Sequence, residues 1–187
     1  MEAKLARLQA QIEACKGRKI PVLVALEGGS ASGKSTLGAA LAERMNATLV
    51  HMDDFFLPLE LRTAERFAQP GGNVHWERVL EEVLQPLAAG KTAEYGVFDC
   101  SVMAVNRTAR AEVRDVILVE GAYALHPVLR DFYDLKVFLS VDQETQKARI
   151  LARNGEAMLQ RFVNEWIPLE QAYFDACGVK DCCDIVL

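Results

Sequence analysis

An octapeptide, Gly28–Ser35, places the strongest constraint on the fold of this chain. Its sequence, GGSASGKS, matches the pattern G-x-x-x-x-G-K-[ST] at every fixed position. A short apolar run, Val22–Leu26, precedes it, and a helical pattern from about Lys34 to Met45 follows it. A strand, a glycine-rich turn and a helix in this order are the context in which the pattern forms a phosphate-binding loop. The sequence therefore predicts a strand–loop–helix unit at the start of a parallel α/β sheet.

The residue types in this loop suit a polyphosphate ligand. Glycine lets backbone N–H groups converge on the phosphates, and the next helix directs its unpaired N–H groups at the same oxygen atoms. Lys34 would place a positive charge near the β- and γ-phosphates, and Ser35 would ligate magnesium. A glycine-rich turn that matches by accident is the alternative explanation. The residues predicted to bind the nucleotide are Gly28, Gly29, Ser30, Ala31, Ser32, Gly33, Lys34, Ser35 and Thr36.

Apolar runs and helical patterns alternate along the rest of the chain. The pattern predicts helices at 2–16, 74–87, 143–152 and 159–175, strands at 48–52, 116–119, 135–139 and 184–187, and a hairpin within 95–114. Buried strands that alternate with helices are typical of right-handed βαβ units with helices on both faces of the sheet. We therefore expect one α/β P-loop NTPase domain over 1–187, in which 1–18 contribute an N-terminal amphipathic helix.

Composition argues against several kinds of partner. The 187 residues carry a net charge of −5, whereas nucleic-acid-binding proteins usually present a basic face, so we expect no nucleic acid partner. No apolar run approaches the roughly 20 residues that cross a bilayer, and the polar N-terminus is unlike a signal peptide. Cys182 and Cys183 are adjacent but lack metal-site spacing, so we expect reduced thiols and a cytoplasmic protein. The sequence leaves the oligomeric state open.

Acidic residues follow three of the predicted strands. Glu27 stands beside the loop, Asp53 and Asp54 follow the second strand, and Glu120 follows the third. Because ligands bind beyond the carboxyl ends of the strands in open parallel sheets, Asp53 and Glu120 should lie next to the phosphate-binding loop. One carboxylate there could accept the proton of an acceptor hydroxyl, and another could hold magnesium directly or through water. Solvated turn residues are the alternative interpretation.

Three segments together resemble the uridine kinase and phosphoribulokinase group of P-loop kinases. They are the phosphate-binding loop, Met52–Phe56 and Val119–Gly121. Pro70–Asn73, followed by Trp76–Arg78, is similar to bacterial uridine kinase-like proteins in particular. The resemblance runs from about residue 20 to the C-terminus. It implies a five-stranded parallel sheet, ATP or GTP with Mg²⁺, and phosphorylation of a small-molecule hydroxyl, foremost the 5′-hydroxyl of a nucleoside.

The same resemblance implies roles for individual residues. Asp53 would be the catalytic base, while Lys34, Arg149 and Arg153 would hold the transferring phosphoryl group, for which arginine is well suited. A solvated helix face is the alternative for the two arginines, which are spaced i, i+4. Magnesium would be held by Ser35, Asp53 and Glu120. By the same resemblance the acceptor would contact Asp53, Phe56, Phe98 and Asp99. Independently of the resemblance, Asn73, His75 and Trp76 are candidate acceptor contacts.

The sequence departs from the family pattern at two places. The lid after Arg153 consists only of Asn154–Ala157, and Ala68–Gln69 stand where the family has an aspartate that holds ribose hydroxyls. Asn73 or its neighbours could replace that contact, so the identity of the acceptor stays open. A nucleotide-dependent ATPase or switch that acts on a protein partner is the alternative function, and a nucleotide-binding module without chemistry is a third.

Overall fold

The computed structural model describes all residues, 1–187, and contains one parallel five-stranded sheet with a separate hairpin. The strands are β1 (Val22–Glu27), β2 (Thr48–His51), β3 (Ala93–Asp99), β4 (Ala104–Ala111), β5 (Val116–Glu120), β6 (Leu135–Phe138) and β7 (Ile185–Val186). Their order in the main sheet is β2-β5-β1-β6-β7, and every pair is parallel. β3 and β4 pair antiparallel outside it. The predicted fold class is confirmed.

The helices cover both faces of the sheet. They are α1 (Glu2–Lys16), α2 (Lys34–Met45), α3 (Ala64–Phe67), α4 (Trp76–Arg78, a π-helical segment Val79–Leu84, and Gln85–Ala88), α5 (Gln143–Asn154) and α6 (Glu156–Arg161, a π-helical segment Phe162–Trp166, and Ile167–Ala176). Short 3₁₀ turns occur at Met52–Phe55, Leu59–Leu61 and Arg130–Phe132. No helix combines the length and apolar character needed to cross a membrane.

Strand β1 is buried on both sides because its alternate side chains enter two different cores. Leu23 and Ala25 face the core that contains side chains of α4 and α6. Val22, Val24 and Leu26 face the core that contains α1 and α2. A fully buried side chain of this kind stabilises the fold by about 1.5–3 kcal/mol. The loop that leaves β1 thus starts from the fully buried central strand of the sheet.

Helix α1 is part of the second core. The residues spaced along one of its faces are buried against α2 and β1, namely Leu5, Leu8, Ile12 and Cys15. The helix lies where the sequence pattern placed one, with these apolar side chains on its buried face. The apolar stripe of α1 covers this part of the second core, which would otherwise be exposed to water.

Several predicted boundaries shift in the structure, and three of these shifts have a clear structural cause. The second strand ends at His51 rather than at residue 52, because Met52–Phe55 turn into a 3₁₀ helix. The helix predicted from 74 begins at Trp76, because Val74 pairs with Phe56 in an isolated bridge. The last long helix begins earlier than 159, directly after Gly155, whose φ of 77° separates it from α5.

Candidate active site

The phosphate-binding loop leaves β1 at the centre of the sheet and enters α2. Gly28 has a φ of 145°, and a side chain there would collide with the carbonyl oxygen of Leu139. Gly33 caps α2 with a φ of 102°. Backbone of this kind is open to glycine and strained for other residues. The two outer glycines of the motif are therefore required by the path of the loop.

Lys34 and Ser32 show how this loop would meet a phosphate. The Lys34 side chain is buried, and its Nζ donates to the carbonyl oxygen of Gly29 at 2.9 Å, so the ammonium group spans the loop. The buried hydroxyl of Ser32 has no hydrogen-bond partner. Since buried polar atoms are almost always paired, this hydroxyl is suited to a ligand oxygen. Ser35 and Thr36 are exposed at the first turn of α2.

The carboxyl ends of β2 and β5 lie side by side, with His51 opposite Glu120. Nδ1 of His51 lies 2.6 Å from Oε1 of Glu120, which is itself buried. This hydrogen bond raises the pKa of His51, because a carboxylate next to the ring stabilises its protonated form. The sequence analysis missed His51. Its place as the last residue of a strand, two positions before Asp53, was the available signal.

Asp53 lies exposed in the turn after β2, beside the same pair. Surrounding protein atoms displace water from its carboxyl group and raise its pKa, and the charge of Glu120 raises it further. Lys34 and His51 oppose this increase in the pKa. The structure therefore brings the predicted base, the buried carboxylate of Glu120 and the loop lysine within electrostatic reach of one another.

Aromatic side chains lie on segments next to the turn that contains Asp53. The rings of Phe56 and Phe98 meet edge to face with 6.4 Å between their centroids. The guanidinium group of Arg62 lies 5.9 Å from the Phe98 centroid. The side-chain amide of Asn73 donates toward the Tyr123 hydroxyl and opposes the rise in the pKa of Tyr123 that burial causes. Phe56, Phe98 and Asn73 thus lie on segments that flank the turn containing Asp53, and their role as acceptor contacts stays a prediction.

Asp99 is engaged in the hairpin turn. Its carboxylate accepts the backbone N–H of Ser101 at 2.8 Å, the Ser101 hydroxyl at 2.6 Å and the Asn106 amide at 2.8 Å. The bonds from Ser101 lower the pKa of Asp99. These contacts explain the residue as the support of the β3–β4 turn, and its contact with an acceptor stays a prediction.

Trp76 and His75 start α4, and both were predicted to contact the acceptor. Trp76 stacks on His126 with 5.1 Å between ring centroids and an interplanar angle of 9°. Its ring also lies 5.4 Å from the guanidinium carbon of Arg66, so it holds α3 and α4 together. Nδ1 of His75 is buried without a partner, and burial lowers the pKa of this histidine. Of these two residues, His75 is the one with a buried polar atom that lacks a hydrogen-bond partner.

The two predicted arginines of α5 differ in their contacts. Arg149 donates from one guanidinium nitrogen to the carbonyl oxygen of Ala31 in the loop at 3.0 Å. Arg153, one turn later, donates to the Asn154 side chain at 2.7 Å and is exposed. The structure therefore brings only Arg149 to the phosphate-binding loop.

Glu27, at the end of β1, joins the phosphate-binding loop to the segment after β5 and to α6 by hydrogen bonds. Its carboxylate accepts hydrogen bonds from the backbone of Gly28 at 2.9 Å, Tyr123 at 3.1 Å and Leu125 at 2.9 Å, and from the Tyr173 hydroxyl at 3.0 Å. Complete burial raises the pKa of Glu27 to about 7, against the effect of these donors. The sequence analysis placed Glu27 beside the loop but missed Tyr173.

The residues predicted to hold magnesium are suited to an ion that is also bound by the phosphates of the nucleotide. No three His, Cys, Asp or Glu side chains form a ready-made metal site. Ser35, Asp53 and Glu120 offer one hydroxyl and two carboxylates. Mg²⁺ is usually bound by one or two carboxylates together with substrate phosphates and water, rather than in an all-protein cage. The donor set therefore fits an ion that arrives with the nucleotide.

A phosphate-binding loop beside strand-end carboxylates, on a sheet of this order, defines the class of P-loop kinases. The family model described as chloramphenicol phosphotransferase-like protein matches residues 21–162. The chain belongs to this family. It is also 32% identical, over 144 residues, to a uridine kinase of Chloroflexus aurantiacus, a match that covers 72% of this chain and 68% of the relative.

Two solved structures have the same fold over almost the whole chain. One is a protein described as a possible uridine kinase from Bacillus stearothermophilus, with a TM-score of 0.72, 20% identity, and 97% and 99% of the two chains covered. The other, from Silicibacter sp. TM1040, is proposed to be a fructose transport system kinase, with a TM-score of 0.71, 26% identity and 98% of both chains covered. The protein is a nucleotide-binding P-loop kinase that acts on small molecules.

Proposed function

We propose that the protein transfers the γ-phosphoryl group of ATP or GTP, bound with Mg²⁺, to a hydroxyl group of a nucleoside. The observation that carries this proposal is the cluster of Lys34, Asp53 and Glu120 at one edge of the sheet. It joins a phosphate-binding group to a carboxylate that can receive a proton. The likeness to uridine kinases supports the nucleoside as acceptor.

The residues of the chain would divide the chemistry as follows. The loop and Lys34 bind the β- and γ-phosphates, and Arg149 adds positive charge next to Ala31. Asp53 orients the acceptor hydroxyl and takes its proton as the new bond to the γ-phosphorus forms and the bond to the β,γ-bridging oxygen breaks, which releases the nucleoside diphosphate. His51 fixes the orientation of the Glu120 carboxylate. Bound Mg²⁺, held by Ser35 and the two carboxylates with the phosphates, would neutralise phosphate charge.

Positioning and charge would account for most of the rate in this scheme. The transition state of phosphoryl transfer is loose, so the protein has little covalent chemistry to perform. Preorganised positive groups at the phosphates and a carboxylate at the acceptor are the main requirements. The aromatic corner of Phe56 and Phe98 suits the flat ring of a nucleobase, because aromatic rings favour offset or edge contacts.

A sugar or another polyol is the second candidate acceptor. The protein from Silicibacter sp. TM1040 is 26% identical over 98% of both chains and is proposed to act in fructose transport. The absence of an aspartate at Ala68–Gln69 also weakens the expected contact with ribose hydroxyls. The family assignment favours either acceptor over the alternative of a nucleotide-dependent ATPase or switch with a protein partner.

An acceptor panel tests the proposal directly. Release of ADP or GDP would be measured in a coupled assay with uridine, cytidine, purine nucleosides, fructose, other sugars and vitamin-like alcohols. We expect turnover above the hydrolysis background with at least one nucleoside, and a phosphorylated product by mass spectrometry. Turnover with a sugar alone would replace the nucleoside by the second candidate. Hydrolysis that no small molecule stimulates would contradict the function proposed here.

A further inference from the structure

We infer that Glu170 is a positioning residue that holds the first half of the phosphate-binding loop in the shape that binds the nucleotide. It lies on α6 and is only 5% exposed. One carboxylate oxygen accepts the backbone N–H of Ser30 at 2.9 Å, and the other accepts the Ser30 hydroxyl at 2.5 Å. Both oxygens of a buried carboxylate are thus committed to a single loop residue.

A side chain of helix α5 also forms a hydrogen bond with Ser30. The side-chain amide of Gln146 donates to the carbonyl oxygen of Ser30 at 2.8 Å. The N–H, the hydroxyl and the carbonyl group of Ser30 are therefore all bound by side chains of α5 and α6. Buried Gln146 and Glu170 are distant in sequence from the loop, and neither takes part in the proposed chemistry.

Gly29 shows that the approach of these two side chains is close. A Cβ atom at this position would lie 3.1 Å from the Gln146 amide nitrogen and 3.3 Å from a Glu170 oxygen. Contacts of that length are tighter than most side chains accept, so a glycine is what lets both groups reach the backbone of the loop. The glycine at position 29 of the motif thus allows side chains of α5 and α6 to approach the loop closely.

A second contact fixes α6 itself. The Tyr173 hydroxyl, one turn after Glu170, donates to Glu27 at 3.0 Å, and Glu27 also accepts the N–H of Gly28 at 2.9 Å. Helix α6 is therefore joined to the strand end and to the loop by two buried carboxylates. A change in the position of α6 must change the position of Ser30 or break these bonds.

A loop that is already held in its binding conformation loses less conformational freedom when the nucleotide binds. The loop contains three glycines and adopts left-handed backbone at Gly33 and Ala31. Such a segment has many conformations open to it when it is not held, and ordering it on binding costs free energy. Burial raises the pKa of Glu170, while the two hydrogen bonds from Ser30 and the charge of Lys34 oppose that rise and favour the ionised form. Hydrogen bonds to an ionised carboxylate are about twice as strong as neutral ones, so Glu170 in this form is well suited to hold the loop. The inference rests on nucleotide binding by the loop.

The test replaces Glu170 by glutamine, which keeps the size of the side chain and removes the charge. Binding of ADP and of a non-hydrolysable ATP analogue would be measured by calorimetry. We expect Glu170→Gln to weaken nucleotide binding about tenfold, because a charge-assisted hydrogen bond is lost. The KM for the acceptor should stay within about twofold, since uniform loss of binding at one site leaves the other unchanged.

Two further variants make the test specific. Ser30→Ala removes the hydroxyl from the other side of the same contact, and the double variant should bind nucleotide no more weakly than Glu170→Gln alone. Glu165→Gln is the matched control, because this exposed glutamate of α6 pairs with Arg161 and does not touch the loop. It should bind nucleotide like the wild type.

The outcomes distinguish a role of Glu170 in positioning the loop from a role in the stability of the fold alone. A Glu170→Gln protein with a lower Tm but wild-type nucleotide affinity would overturn the inference, as would additive losses in the double variant. If Glu170→Gln fails to fold, Ser30→Ala decides, and wild-type affinity in that variant would likewise overturn it. A wild-type protein that binds no nucleotide would instead contradict the proposed function.

Discussion

Asp53 and Glu120 place two carboxylates close together at the ends of neighbouring strands, where their like charges repel. Burial raises the pKa of Asp53, and the negative charge of Glu120 raises it further. His51 and Lys34 compensate part of it from two sides. Such a cluster costs free energy in the free protein and becomes favourable when a cation and a phosphate arrive. The arrangement is expected of a site that binds charge, and it has no obvious value for the fold.

Replacing Asp53 by asparagine tests the catalytic base. We expect Asp53→Asn to reduce kcat at least about 100-fold, because the amide cannot accept the proton of the acceptor hydroxyl. Nucleotide affinity, measured by calorimetry, should persist. Asp54→Asn is the adjacent control, since this carboxylate hydrogen-bonds Tyr95 and is not part of the proposed chemistry. Near-normal kcat in Asp53→Asn would remove this residue as the base.

Helices α5 and α6 are the elements whose role was least visible in the sequence. Their pattern predicted that they exist, but only Gly155, with a φ of 77°, separates the two helices. The contact between Glu170 and Ser30 spans 140 residues of chain, so no local pattern could reveal it. A weak signal was present, because Glu170 shares a helix face with Tyr173 and Phe174. A glutamate at helical spacing with buried aromatics indicates a buried charge with a partner.

The contacts of α5 predict an order of importance for its two arginines. We expect Arg149→Ala to lower kcat/KM at least about tenfold, because it removes positive charge next to the phosphates. Arg153→Ala should have a smaller effect, since its guanidinium group contacts Asn154 and not the loop. Steady-state kinetics of both variants, with the Tm of each as a check on folding, provides the comparison. The reverse order would mean that Arg153 carries the phosphoryl contact in the working enzyme.

The whole molecule could be predicted in outline because its strongest patterns are local. The motif at Gly28–Ser35 lies between an apolar strand and a helix, and buried strands alternate with helices along the chain. These features gave the fold class and the loop. The pairing of His51 with Glu120 and the choice of Arg149 over Arg153 depend on how distant segments meet. The strand order β2-β5-β1-β6-β7 likewise arises from crossovers, and the sequence carries no local record of it.

The phosphoryl transfer and the roles of Asp53, Arg149 and Glu170 all require that the loop from Gly28 to Ser35 binds a nucleoside triphosphate. Calorimetric titration of the folded protein with Mg-ATP and with Mg-GTP measures that directly, with Lys34→Ala as the matched variant. We predict saturable binding of one nucleotide per chain by the wild type, and binding weakened at least about tenfold in Lys34→Ala, because the ammonium group that spans the loop is lost. No heat of binding to either nucleotide up to about 1 mM, the upper range of KM values for enzymes, would contradict the account.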